Sequence, residues 1–383
     1  MDFALDEGQR LLLDALEGTV KRVSPPERVQ RLDNLSAFDA DLHRAIADLG
    51  VLGLGVPEAD GGSGGGPLEQ ILALEVLGRT ATSMAVFLVV HYIAMHLLLD
   101  FGNPAQRQAH LPALCRGERK FSFCLTEPGG GTDVLGAIRT SARRQGEGWR
   151  LNGTKQWISG AGIADQLIVL ARTAEHRTRG LTMFLLPKAS PGLRVAERAT
   201  LGIHGYDTNE VAFEEVELPR AAVLGAANAG FQQVLATLNA ERLHAAAVAT
   251  GIGRGACQVA VAHAKSRAAF GRPIGQFQAV QHRLVRASLA VEAAWLLTLR
   301  AAGDAAAGRP AELNTSMAKL AAAEAAVQAT QAGMETLAGA GFDLDLPMQR
   351  YFRDARLYVF APITNDMVAN FLGERWLGLP RSF

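Results

Sequence analysis

Apolar residues recur every three or four positions in the first third of the chain. They run through LEQILALEVLGRTA and on into an unbroken apolar stretch from Met84 to Leu99. That spacing predicts helices over residues 1 to about 118, interrupted by the glycine-rich loop ADGGSGGG at 59–66. From about 119 to 226 the character changes to strand-like stretches, LIVLA (167–171), LTMFLL (181–186) and EVAFEEVEL (210–218). WRLNGTKQWI places Asn152-Gly153 between two strand-like stretches, which predicts a hairpin turn there. From Ala227 onward the chain is alanine-rich and helical almost to its end. The order is a helical domain at 1–118, a β domain at 119–226 and a helical domain at 227–383, without repeats or a long low-complexity linker. The fold class is mainly α with a small β domain.

The Met84–Leu99 run contains His91 and His96 and is too short to span a bilayer, so it reads as a buried helix. Lys+Arg and Asp+Glu each total 38 of 383 residues, giving no net charge to attract nucleic acid or an anionic membrane. Cys115, Cys124 and Cys257 are odd in number and lack metal-ligand spacing, which fits a reducing, cytoplasmic setting. The opening MDFALDEGQR is acidic where a signal peptide would be basic, so no export is expected. No metal site is expected either: His91 and His96 lie five apart in an apolar run, as core residues do.

Three stretches carry candidate chemistry. FCLTEPGGGTDV (123–134) packs glycines after a Glu-Pro turn, so backbone N–H groups can approach a ligand, with Thr126 and Thr132 as added donors. A plain turn has the same composition. LNGTKQWISGAG (151–162) offers the flat face of Trp157 and the hydroxyl of Ser159, although a core tryptophan would look alike. RAAFGRPIGQFQAVQ (267–281) sets Arg267 and Gln278 on either side of a turn, and arginine suits a pyrophosphate as well as it suits open surface.

In this order the stretches resemble the acyl-CoA dehydrogenase family, from DFALDEGQ near the start to the final helix. TEPGGGTD is similar to its TEPGxGSD, NGTKQWIS to its NGxKxWIT, FEEVELPRAAVLG (213–225) to its strand-exit segment, and ETLAGAGFDLDLPMQRYFRDAR (335–356) to its GGxG…RDA segment. The resemblance implies an N-terminal helical domain, a central β-sandwich or barrel-like domain and a C-terminal four-helix bundle. It implies FAD as cofactor, with Phe123, Leu125, Thr126, Gly131 and Thr132 along the flavin. Trp157 and Ile158 would lie against the isoalloxazine and Ser159 near N5. Arg267, Phe270 and Gln278 would hold the FAD of a neighbouring subunit, so a homodimer or homotetramer is expected. Thr364 and Asp366 match the T-S-E flavin contact, although TND departs from it at two positions. Glu335 and Gly339 belong to the adenosine-side contact, where Glu335 stands for the usual Gln and Ala338 for the usual Gly. His204 stands where Arg is common.

The implied reaction is α,β-dehydrogenation of an acyl-CoA thioester, with an electron-transferring flavoprotein as acceptor. A carboxylate takes the α-proton while the β-hydrogen leaves as hydride to flavin N5, and hydrogen-bond donors stabilise the enolate oxygen. In much of the family the carboxylate immediately precedes the threonine segment. The gapless match through RDAR puts that position at Pro362, which has neither a carboxylate nor an N–H. Ile363 is then the neighbouring candidate donor.

Isovaleryl-CoA dehydrogenase and its relatives carry the base on a helix, in a segment like LNAERLHAAAVATGIG (238–253), which puts Glu241 at the base position with Arg242 beside it. Phe231, Val234, Leu235 and Leu238 define an inward stripe, with Arg242 inside it and Glu241 at its edge. A salt-bridged Glu241 at a subunit interface, with Arg242 covering apolar surface, is the other arrangement this phase allows. Thr132, Arg242, Pro362 and Ile363 are the expected substrate contacts. Acyl-carrier-protein dehydrogenases, oxidases and monooxygenases share the family's scaffold, and a catalytically silent acyl-CoA binder would share its sequence features.

Overall fold

The computed structural model describes residues 4–381, so Asp2 and Phe3 of the DFALDEGQ stretch lie outside the described residues. The N-terminal helices are α1 (Glu7–Val23), α2 (Pro26–Asn34), α3 (Ala40–Asp48), α4 (Pro67–Thr80), α5 (Thr82–Phe101) and α6 (Pro104–Cys115). Their starts are written in the sequence. Asp6 accepts from the Gln9 N–H at 2.8 Å while the Gln9 side chain accepts from the Asp6 N–H at 3.2 Å, a capping box. Asn103 and Gln106 repeat the device on α6.

The apolar run at 84–99 belongs to a longer helix than expected, the 20-residue α5. By length and composition α5 could cross a membrane, contrary to the reading that it is too short, and so could α8 (Gly230–Ser266). Within the protein, 67% and 72% of their most apolar windows are buried, the setting of core helices. His91 is buried and pairs through Nε2 with the Leu52 carbonyl at 2.9 Å.

The β region holds β1 (Phe121–Cys124), the short helix α7 (Val134–Ala137), β2 (Ser141–Gln145), β3 (Gly148–Ser159), β4 (Gln166–Arg172), β5 (Leu181–Pro187), β6 (Leu193–Arg198), β7 (Thr208–Leu218) and β8 (Val223–Leu224). The strands follow one path, β6-β7-β3-β2-β4-β5-β8, with β1 parallel to β4. Period-two alternation sends Ile168 and Leu170 of β4 into the helical core and Leu167, Val169 and Ala171 into a separate β core.

The hairpin expected at Asn152-Gly153 is not there. Both residues lie inside β3, at a register shift opposite β7, and the β2–β3 turn comes earlier, around Gly146. Gly153 is a bulge glycine. Its φ is 140°, and a Cβ would sit 2.5 Å from the Thr140 Cα. The dipeptide reads as a turn because a bulge also needs a residue free to take positive φ.

The C-terminal region begins with α8, then α9 (Gln278–Ala306), α10 (Glu312–Leu337), α11 (Gly339–Phe342), α12 (Met348–Ala355), α13 (Leu357–Phe360) and α14 (Asn365–Arg375). Buried small residues from Ala245 to Ile252 let α8 pass close to its neighbours. It meets α4 at paired glycines: a Cβ on Gly78 would lie 2.6 Å from the Val248 carbonyl, and one on Gly251 would lie 2.3 Å from that of Glu75. The two helical regions thereby share one core, to which β4 and β5 also contribute. The architecture is a helical domain, a central β domain and a second helical domain.

Candidate active site

Glu241 lies in the fourth turn of α8, half-buried. Among the described residues no donor hydrogen-bonds to its carboxyl and no ion pair engages it. Burial pushes it up to about 7, opposed only by the adjacent Arg242 charge. The salt-bridge alternative therefore has no partner among the described residues of the chain. Arg242 is also half-buried. It donates to the Asn239 Oδ1 at 3.3 Å, lies 5.8 Å from the Phe371 ring of α14, and keeps a buried Nε without a partner.

The inward stripe needs one correction. Val234 is buried, Phe231 packs against the core and Leu238 is half-buried, but Leu235 is 45% exposed. The buried positions on that turn are Gln233, Val234 and Thr237, so the inward face is rotated from the all-apolar one. One turn beyond Glu241, His244 is buried against Gln70 of α4, with Nε2 to Oε1 at 3.1 Å. Burial pushes its pKa down to about 3, so it stays neutral.

The TEPGGGTD loop follows β1 and is fastened to β3. Lys155 is fully buried and donates to the Leu125 carbonyl at 2.9 Å and to Glu127 Oε1 at 2.8 Å. Glu127 also accepts from the Arg139 and Thr140 N–H groups, at 2.6 and 3.0 Å, and the Gln156 N–H donates to the Thr126 carbonyl at 2.9 Å. Phe123 and Leu125 pack against the core that includes α8, while Gly131 and Thr132 are exposed. Trp157 is 57% exposed, on a backbone with φ of 61°, a left-handed conformation unusual for so large a residue. Next to it the Ile158 side chain turns into the β core, and the Ser159 carbonyl accepts from the Ser122 hydroxyl at 2.7 Å. An indole held out beside a glycine-rich loop suits the face of a planar aromatic cofactor.

The third component is the turn between α13 and α14. Pro362, Ile363 and Thr364 are half-buried, and Asp366 is exposed. Thr364 caps α14 by accepting from the Met367 N–H at 3.3 Å. Lys319 of α10 reaches the turn from below. It is 1% exposed and donates to the Ile363 carbonyl at 2.7 Å and the Asn365 Oδ1 at 2.6 Å. Burial, with the Arg242 charge second, pushes it down to about 8.

Other expected site residues lie far from this cluster. Arg267 and Phe270 follow the far end of α8 and Gln278 opens α9. The helix from Glu241 to Arg267 is about 40 Å long at ~1.5 Å per residue, too far for one flavin to bridge within a chain. Phe270 is 95% exposed with φ of 51°, projecting from the turn. Glu335 pairs with Arg283 of α9 at 2.9 Å, and Gly339 opens α11 beyond Ala338. His204 sits 3.5 Å from Asp33, whose other oxygen holds Arg353 at 2.6 Å. Among the described residues no three His, Cys, Asp or Glu side chains form a metal-holding group.

Sequence reasoning missed Lys319. Its signal is its phase: Thr315, Lys319, Ala322 and Ala326 follow helical spacing and all are buried, so a lysine stands on an inward stripe.

Family models for the acyl-CoA dehydrogenase N-terminal, middle and C-terminal domains match residues 6–118, 122–216 and 228–377. The human mitochondrial short-chain specific acyl-CoA dehydrogenase is 35% identical over 356 residues, covering 92% of this chain and 86% of that protein. Butyryl-CoA dehydrogenase from Megasphaera elsdenii superposes with a TM-score of 0.94 at 31% identity, covering 98% of this chain and 100% of that one. The prolyl acyl carrier protein oxidase AnaB superposes with a TM-score of 0.91 at 28% identity, over 98% and 100% of the two chains.

Proposed function

The chain belongs to the acyl-CoA dehydrogenase family of FAD-dependent flavoproteins, and from that premise we propose that it dehydrogenates an acyl-CoA thioester between Cα and Cβ with Glu241 as the base. The observation that carries this reading is the state of Glu241. It is a half-buried carboxyl without a partner in the described chain, raised to about 7, while position 362 is a proline. A base with a pKa near neutrality combines a useful ionised fraction with real proton affinity. Bound FAD supplies the hydride acceptor. The chain's part is to orient the thioester, take the α-proton at Glu241 and keep water from the enolate.

The loop from Phe123 to Thr132 and the Trp157–Ser159 strand would hold the flavin, with Thr364 and Asp366 at its other side. Arg267, Phe270 and Gln278 would reach the FAD of a second copy, which their distance from Glu241 favours. An electron-transferring flavoprotein would then reoxidise the protein. In an anaerobic titration with straight, branched and aromatic acyl-CoAs, at least one is expected to bleach the yellow protein. Glu241→Gln should keep FAD and lose the bleaching; a variant that bleaches like the parent removes the proposed base.

Likeness to the prolyl acyl carrier protein oxidase supports a second reading, in which the thioester is carrier-bound and oxygen is the acceptor. Oxygen consumption with a carrier-protein thioester, and none with acyl-CoA, would favour it.

A further inference from the structure

The proline at 362 leaves the thioester oxygen without the backbone donor that the neighbouring position would otherwise supply, and the adjoining peptide can replace it. The Ile363–Thr364 peptide is trans, so its carbonyl and its N–H point in opposite directions. Its carbonyl is tied to Lys319 at 2.7 Å, and a second bond from the same ammonium to the Asn365 Oδ1 at 2.6 Å fixes the other side of Thr364. The Thr364 N–H must therefore point away from α10. Among the described residues nothing accepts from it, because the helix it precedes begins only at Asn365 and its own side chain is occupied by the Met367 N–H.

Lys319 is almost fully buried and has no carboxylate partner among the described residues. Holding a bare ammonium there costs desolvation that a methionine would avoid. An ammonium on the carbonyl also polarises the amide and makes its N–H a stronger donor. Arg242 links the turn to the stretch of α8 that carries Glu241. Arg242 adjoins Glu241, lies 5.8 Å from Phe371 of α14 and adds its charge to the environment of Lys319.

We propose that Lys319 is a positioning residue, holding and polarising the Ile363–Thr364 peptide so that the Thr364 N–H donates to the thioester oxygen in place of the donor lost at Pro362. This rests on the thioester chemistry proposed above. As Glu241 accepts the α-proton, the C–H bonding pair becomes the enolate, and the charge that collects on the thioester oxygen is met by the Thr364 N–H.

Acetoacetyl-CoA tests this apart from hydride transfer, because its α-protons leave without oxidation. The FAD-loaded protein is titrated with it across pH, and the enolate absorbance gives the apparent pKa of the bound probe. Lys319→Met should keep FAD and bind the probe but raise that pKa by about 1–2 units, a ten- to hundredfold loss of enolate. Lys319→Arg should recover most of it. Thr364→Ala loses the α14 cap and the proposed flavin contact but retains the N–H, so at equal FAD occupancy its shift should fall well short of that in Thr364→Pro. Thr364→Pro, which the native φ of −61° accommodates, removes the N–H and should match Lys319→Met. If Lys319→Met fails to hold FAD, the Thr364 pair decides.

Enolisation by Thr364→Pro or a folded Lys319→Met equal to the parent's overturns the proposal, as does a parent protein that forms no enolate. A parent that enolises the probe but is bleached by no acyl-CoA sinks the dehydrogenase reading and leaves this donor in place.

Discussion

Two regions of the molecule each bury a lysine, and they do so in opposite ways. In the β region Lys155 meets a carboxylate, Glu127, at 2.8 Å, and Glu127 also takes two backbone N–H groups. In the C-terminal helices, among the described residues, Lys319 meets only neutral oxygens, and the charge that acts on it is another cation, Arg242. Burial lowers the pKa of both, but at Lys155 the carboxylate opposes it, whereas nothing comparable opposes it at Lys319, which falls to about 8. The first arrangement is a weld that closes the TEPGGGTD loop onto β3. The second tolerates an uncompensated charge in order to aim a peptide. Burial alone therefore does not tell what a charged residue is for; its partners do.

The two lysines differ most in what the loss of a partner does. Glu127→Gln leaves the Lys155 charge buried with only a carbonyl and an amide oxygen to meet it. Removing one member of a buried pair typically costs about 3–5 kcal/mol. Chemical denaturation of the FAD-loaded protein should show a loss of that size, with weakened FAD retention because the loop is no longer fastened. Replacing both residues together, Lys155→Met with Glu127→Leu, should recover part of it. Lys319→Met should cost under about 2 kcal/mol, since the bonds lost at two oxygens are offset by the relief of a desolvated cation. Equal losses at the two sites would mean that the weld and the pointer are the same kind of interaction.

Proton linkage sharpens the contrast further. With a folded-state pKa of about 8 against the ordinary lysine value of 10.5, Lys319 binds fewer protons folded than unfolded between those limits. Its contribution to stability is therefore most unfavourable below pH 8 and improves as pH rises toward 10.5. The groups that set this are Arg242 beside it and, flanking Arg242, Glu241 and Glu312. Lys319→Met should flatten that part of the stability profile relative to the parent.

Glu241 gives the complementary slope. Its carboxyl is raised from 4.5 to about 7, so the folded state binds the extra proton between those limits and stability falls as pH rises through them. Glu241→Gln should remove that fall. Over the same range the rate of flavin reduction should rise with pH, because the ionised carboxylate is the base. A parent rate that is flat from pH 5 to 8 would take Glu241 out of the proton transfer.

The legible parts of this molecule were those whose causes are local. Helical spacing, the Asp6 and Asn103 caps, the short apolar run LIVLA and the glycine-rich turn at 128–131 all act within a few residues. Asn152-Gly153 misled because a bulge and a hairpin ask the same thing of glycine, and the difference lies in Thr140 on the facing backbone. Leu235 misled because helical phase gives which residues share a face, not whether that face meets core or open space. The helical phase of Lys319 marks it as inward-facing, but its partner was silent, because the acceptor lies 44 residues away and only the tertiary structure brings them together.

The smallest effect lies at the end of the helix that carries Lys319. Ala338 follows α10 with φ of 51° and ψ of −123°, a conformation that suits glycine and strains any residue with a Cβ. Such strain is worth about 1–3 kcal/mol, and Ala338→Gly gives back roughly 0.5–1 kcal/mol of it through the more mobile unfolded chain. A net gain of about 1 kcal/mol remains, corresponding to a rise in melting temperature of roughly 1–2 °C in a chain of this size. Because Lys319 lies five turns earlier, the gain should be the same in the parent and in Lys319→Met, as distant sites add. Thermal melts of the two single variants and the double variant measure this. A gain that vanishes in the Lys319→Met background would show that the strained corner and the buried ammonium act on α10 together, and the lysine would then be bracing the helix as well as aiming the turn.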